Sequence, residues 1–262
     1  MHIPFAGRLS YGYLLLLISC LFASLLNATD IRIQKEPQGP LKVRLDYKLA
    51  TRGSSPRRIV DSKNIVFSTH LTFTEPVSSI TNGQLAQMLI DAMGEMQEEA
   101  KQYGYSYRKW PSAMSFFAFG HEIILSTSQK GPSFTYDYAA SPVRESLAIC
   151  SAVWREQTGQ GDKRHYRDAS CGEIMCAHQY YQGHATPLKD VRVRALTGFF
   201  DRVGQAIKFI PECGTGNDAD WGCNLFVAQN NIDYLAVDTQ AVAYDLSTLA
   251  GGDPKKDQID MC

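Results

Sequence analysis

Hydrophobic residues recur at three- and four-residue spacing from Leu85 through Met88, Leu89, Ala92, Met96 and Ala100 to Tyr103, the repeat of an α-helix that buries one face. Thr81 and Gln84 have capping-box spacing ahead of it, and Gly104 supplies a stop. The period then changes. Ala113–Phe119 and Glu122–Thr127 are apolar, aromatic and β-branched runs around Gly120 and His121, and they read as a β-hairpin. Both faces of the first run are apolar, as in a strand covered by helices on each side.

A second helix fits residues 142–156, with Val143, Leu147, Cys150 and Val153 or Trp154 on one stripe, and a loop follows over 158–168. A third helix begins near Cys171. Residues 191–196 and 207–210 read as strands, 223–229 as a helical turn or more, 232–237 as a strand and 251–262 as a polar tail. Ahead of all this, residues 29–80 are rich in Arg, Lys, Pro, Ser and Thr, with alternating stretches at 41–47 and 64–73. They read as an extended N-terminal arm carrying a few edge strands. The element order predicts an α/β fold, a mixed sheet flanked by helices, with one main domain over residues 81–250.

The extreme N-terminus changes where this domain is expected to work. A basic residue, Arg8, precedes an apolar run at 11–26, and small residues Ala23 and Ala28 offer cleavage points. This is a signal-peptide layout over residues 1–28, too short to span roughly 30 Å of hydrocarbon with ease, so a secreted chain without stable membrane insertion is expected. The turn-prone stretch 54–58 ends in Arg57 and Arg58, an exposed processing site if the arm is a pro-segment and a solvated linker if it is not. Composition excludes little: 26 basic against 27 acidic residues leave a net charge of −1, so no global field points to nucleic acid, membrane or an acidic substrate. Oligomeric state is not legible.

Six cysteines follow the signal segment, namely Cys150, Cys171, Cys176, Cys213, Cys223 and Cys262. In an oxidising compartment three disulfides are the default, and a thiolate metal site is the competing use. Cys150 and Cys176 are candidates for a bridge between two packed helices.

Reactive side chains are densest over residues 164–173, where Arg164, His165, Arg167 and Asp168 precede Cys171, Gly172 and Glu173. A thiolate at a helix start gains from the dipole. Cys-x-Glu in a first turn can hold a cation by sulfur and move protons by carboxylate. Ser170 and Glu173 also have capping-box spacing, in which the Glu does no chemistry. Further on, nine residues separate Cys213 from Cys223, wider than the usual zinc pair and equally suited to a small disulfide loop. His165, Arg167 and Trp221 are candidates to position a ring or phosphate. His178 reads as a core residue, His121 as an exposed turn and His184 as a helix end.

In order from Gln84 to Cys223 these pieces resemble the cytidine-deaminase-like superfamily, whose core runs helix, two-strand hairpin, a helix opening with His-or-Cys-x-Glu, a strand, then a Pro-Cys loop before another helix. The resemblance implies a three-layer deaminase-like sandwich and a zinc cofactor held by Cys171, Cys213 and Cys223. It implies Glu173 as proton shuttle, and a nucleobase, nucleoside or nucleic-acid substrate. This chain departs from the pattern in the long Cys213–Cys223 gap and in the extra helix before Cys171. Two other functions fit the same residues. One is a disulfide-stabilised effector or binding module without catalysis, and the other a metal-free nuclease using His165, Glu173 and the nearby arginines.

Overall fold

In the computed structural model, residues 30–52, 64–138, 140–216 and 219–261 are described. The signal segment, the Arg58 site, Cys20 and Cys262 lie outside them. The elements are β1 (Arg44–Leu45), α1 (Tyr47–Thr51), β2 (Phe67–Thr72), α2 (Asn82–Gln102), β3 (Ala113–Phe119), β4 (Glu122–Thr127), α3 (Pro142–Thr158), α4 (Gly172–Gly183), β5 (Arg194–Asp201), β6 (Ala206–Ile210), α5 (Cys223–Gln229), β7 (Asp233–Tyr234) and β8 (Lys255–Asp257). No helix among the described residues is long and apolar enough to cross a membrane.

The sheet runs β1-β2-β4-β3-β5-β6, with β8 also on β2 and β7 also on β5. All pairings are antiparallel except β5 with β7. Period-2 alternation divides its side chains between two apolar clusters. Met114, Phe116 and Ala118 of β3 and Ile123 and Leu125 of β4 join α2 in one. Phe117, Phe119 and Ile124 join α3, α4 and α5 in the other. The α/β class and the apolar faces of the hairpin are therefore as expected.

Helix α2 begins with the expected capping box, Thr81 accepting from Gln84 N while Gln84 Oε1 accepts from Thr81 N at 3.0 Å. Its buried stripe contains one misfit, Glu99, 2% exposed. Glu99 Oε2 accepts from Gln102 Nε2 at 2.8 Å, whereas Oε1 has no hydrogen-bond partner. Burial pushes this carboxyl up to about 7.

Two expectations are corrected. The described part of the expected arm, residues 30–52 and 64–80, is built into the fold: β2 lies inside the sheet, between β4 on one side and β1 and β8 on the other, and Ile31, Leu41, Val43 and Phe67 are core residues. Residues 251–262 are not a free tail either. Strand β8 pairs with β2, Met261 is fully buried, and Met261 N donates to Asp46 Oδ2 at 2.7 Å. Both segments looked peripheral because their partners lie far away in sequence.

Glu99 generates a pH prediction. Its folded pKa is raised above the unfolded value, so its stability contribution is present below the ordinary glutamate range and is lost as pH rises through 7. Glu99→Gln is expected to be about 1–2 kcal/mol more stable than the parent at pH 8, after discounting for solvent screening, and no more stable at pH 4. Denaturant midpoints at the two pH values check this; an equal gain at both would assign the effect to packing alone.

Candidate metal centre

Three backbone features assemble the site. The first is the approach of α4 to the sheet. A Cβ at Gly172 would stand 2.5 Å from Ser115 Oγ, 2.8 Å from Ser115 N and 2.9 Å from Ser126 O, so only glycine lets the first turn of the helix rest on β3 and β4. That contact places Cys171 as N-cap and drives Glu173 beneath the helix. The second is the loop between Cys213 and α5. A Cβ at Gly222 would lie 2.2 Å from Cys213 O and 2.7 Å from Cys213 Sγ. Its absence lets the chain fold over that sulfur, and Cys223 N donates to it at 3.2 Å.

The third is the turn before α4, where Asp168 and Ala169 both have positive φ, 50° and 54°. This left-handed pair wraps the backbone around His165, so that Arg167 N and Ala169 N both donate to His165 Nδ1, at 3.1 and 3.2 Å. Trp221 closes the other side edge-on, its ring centre 5.3 Å from that of His165, with Trp221 Nε1 donating to Lys163 O.

Around these supports the ligand atoms of His165, Cys171, Cys213 and Cys223 lie within 4.8 Å of one another. Cys171 Sγ is 3.3 Å from Cys213 Sγ, and His165 Nε2 is 3.3 Å from Cys223 Sγ and 3.6 Å from Cys213 Sγ. The cluster could hold a metal ion, and its soft donors suit zinc or another thiophilic cation. Sulfur ligands about 2.3 Å from a tetrahedral zinc would stand roughly 3.8 Å apart, close to the spacing present.

Glu173 lies alongside, 3% exposed. Its Oε1 accepts from Thr197 Oγ1 at 2.8 Å, and Thr197 is in turn bonded to Ser115 Oγ at 2.7 Å. The carboxyl titrates high because it is buried and because the charge on Cys213 opposes ionisation. Among the sulfurs, Cys213 is held well below the usual thiol range by hydrogen bonds from Cys171 first, then Cys223 and His165, while Cys171 and Cys223 are pushed up. Without a cation negative charge falls first on Cys213, because its two sulfur neighbours donate to it.

Of the expected site residues, the structure brings together Cys171, Cys213, Cys223 and Glu173. The Ser170–Glu173 capping box does not form: Cys171 is the N-cap, it makes no side-chain capping bond, and Glu173 turns to Thr197. His165 is not a surface residue for substrate. It is 2% exposed, and both ring nitrogens are engaged. Trp221 is 1% exposed and braces His165 rather than offering a ring face. Arg167 lies outside, its guanidinium 4.4 Å from the centre of the Tyr166 ring.

Cys150 and Cys176 do not bridge; both are buried free thiols, and no disulfide forms among the described cysteines. Cys176 faces the sheet, donating to Ser115 O, because it is held under α4 rather than between the helices. Sequence reasoning missed Thr197, whose only signal was alternation along β5, and the role of His165, which depends on a turn that no motif announces.

No family model, curated protein or solved structure matches the chain.

Gly172→Ala tests the close approach on which the cluster rests. It is expected to cost about 1–3 kcal/mol, the range for overpacking, and to speed modification of Cys171 by a thiol reagent. Unchanged stability and reactivity would show that the helix does not bear on the sheet at this point.

Proposed function

We propose that the chain is a zinc-dependent hydrolytic deaminase, cytidine-deaminase-like in its core, that removes an exocyclic amine from a nucleobase, nucleoside or nucleic acid after export through the secretory pathway. The observation that carries the reading is the pair of backbone N–H groups on His165 Nδ1. A ring nitrogen that accepts hydrogen bonds has no proton, so the imidazole carries its proton on Nε2, which points at Cys213 and Cys223. Nε2 is then a donor to sulfur and has no lone pair for a metal. Three thiolates remain as ligands, and three protein ligands with an open position are the arrangement of catalytic rather than structural zinc.

The order of elements supports the same reading. Helix α2, the β3–β4 hairpin, α4 opening with Cys171 and Glu173, strand β5 and the Cys213–Cys223 loop before α5 follow in the family's sequence. The extra helix, α3, packs with α4 and α5 and interrupts no part of the cluster.

Bound by the three sulfurs, zinc would supply Lewis acidity and lower the pKa of water. The chain's own residues handle the protons. Thr197 donates to Oε1 of Glu173 and fixes the carboxyl, so that Glu173 takes a proton from the attacking water and returns it to the departing amine. His165 donates to sulfur and spreads the negative charge of three thiolates, as partners of metal ligands commonly do. Cys176, buried on the sheet side of α4, keeps its proton because burial pushes its thiol up.

Freshly purified protein is expected to carry about one zinc per chain, lost on Cys171→Ser. Glu173→Gln should keep the metal and lose about 10²- to 10⁴-fold in ammonia release from cytosine- or adenine-bearing substrates. His165→Gln should also keep it. Loss of zinc on His165→Gln would make the site four-coordinate and closed, a structural zinc, and would overturn the reading.

A further inference from the structure

Thr197 holds Glu173 in place, and a second side chain reaches Thr197 from a neighbouring strand. Strand β7 docks on β5 through hydrogen bonds from Asp233 N to Val193 O and from Leu235 N to Ala195 O, both 2.8 Å, in a parallel register that sets Tyr234 beside Ala195. Paired residues of adjacent strands share a face of the sheet, as do residues two apart on one strand. Ala195 packs in the cluster that includes α4, so Thr197 and Tyr234 turn to that side as well. Strand β6 takes up the same edge of β5 only from Thr197 onward, and Tyr234 stands at the junction of the two strands, packed against both apolar clusters.

The Tyr234 hydroxyl has one hydrogen and two acceptors in reach. It donates to Ile210 O at 3.0 Å, and it also meets the Thr197 hydroxyl. Thr197 commits its own hydrogen to Glu173 Oε1, so toward Tyr234 it can only accept. A hydroxyl that accepts is a stronger donor in its turn, and Tyr234 thereby strengthens the bond that fixes the carboxyl. Burial pushes the phenol well above its ordinary range, which keeps it a donor.

The other acceptor matters as much. Ile210 ends β6, and Pro211, Glu212 and Cys213 follow it, so its carbonyl marks the point where the loop bearing Cys213 leaves the sheet. Pro211 has no N–H with which to tie that departure down. Glu173 and Cys213 belong to different elements, and proton transfer requires the carboxyl at a fixed distance from the metal ligands. Misplacement on the order of 1 Å costs about 10²-fold in such a step.

We propose that Tyr234 is a positioning residue, one hydroxyl that sets the Thr197–Glu173 pair against the start of the Cys213 loop and so fixes the proton-handling carboxyl relative to the sulfur ligands. The inference rests on the deaminase reading and deepens it.

The test uses the full chain loaded with zinc or with cobalt(II), whose visible bands report the arrangement of the sulfurs. Tyr234→Phe removes one oxygen and keeps the ring. It is expected to retain about one metal per chain and to change the position or intensity of the cobalt bands. It should lose about ten-fold or more in kcat for ammonia release from cytidine or adenosine, with KM within about three-fold of the parent. Placed on Glu173→Gln it should cost less than about two-fold more, because it acts through that carboxyl. Tyr47→Phe is the control: it deletes another tyrosine-to-carbonyl bond, to Ile31 O at 2.8 Å on the α2 side of the sheet, and should leave bands and kcat alone. Unchanged cobalt bands, a loss in kcat that persists in full on Glu173→Gln, or the same changes in Tyr47→Phe each overturn the proposal. Loss of the metal by Tyr234→Phe overturns it too, by making the tyrosine a support of the fold rather than of the carboxyl. The spectral arm needs no turnover. A parent that releases no ammonia sinks the deaminase reading, while cobalt bands that still separate Tyr234→Phe from Tyr47→Phe uphold the coupling.

Discussion

Three thiols and a carboxyl converge in one largely water-excluded place, and the rest of the site is organised around that electrostatic conflict. Groups of like charge cannot all ionise there unaided. The folded chain softens the conflict with donors it already owns: the backbone N–H of Cys223 on Cys213, the imidazole N–H on Cys213 and Cys223, and the Thr197 hydroxyl on Glu173. A divalent cation would allow the remaining sulfurs to ionise, so metal affinity and the folding of the surrounding loops are expected to be coupled.

Metal and disulfide are rival uses of the same atoms. Cys171 and Cys213 stand with sulfurs 3.3 Å apart, close enough for an oxidant to join them unless a cation holds both. The shielding of Cys223 and the buried position of His165 limit access to the cluster from one side, leaving Cys171 and Cys213, which are only partly buried, as the face that solvent meets.

Much of this was legible in the sequence where the information is local. The α2 stripe, its Thr81 cap and the β3–β4 hairpin follow from periodicity and capping within a few residues. Cys171, Glu173, Cys213 and Cys223 were grouped in the sequence only through the family resemblance, since the wide Cys213–Cys223 spacing suits a disulfide loop equally well. What was not legible depends on distant partners. The interior position of β2 is decided by β4 and by β8, whose Asp257 pairs with His70 across 187 positions. The role of His165 depends on two left-handed residues, Asp168 and Ala169, neither of them glycine. Cys150 and Cys176 were candidates for a bridge between two packed helices, yet Cys176 faces β3 and β4.

The placement of β2 also bears on how the molecule can be made. Its neighbours on one edge come from residues 44–45 and from residues 255–257, and Met261 seals the contact against Asp46. A chain emerging from the ribosome can form the β3–β4 hairpin and its helices early, but that flank of the sheet stays open until residues 255–257 have been synthesised. Such non-local closure is slow and leaves an unpaired strand edge exposed in the meantime. Until residues 44–45 and 255–257 both reach it, that edge of β2 is open to non-native pairing.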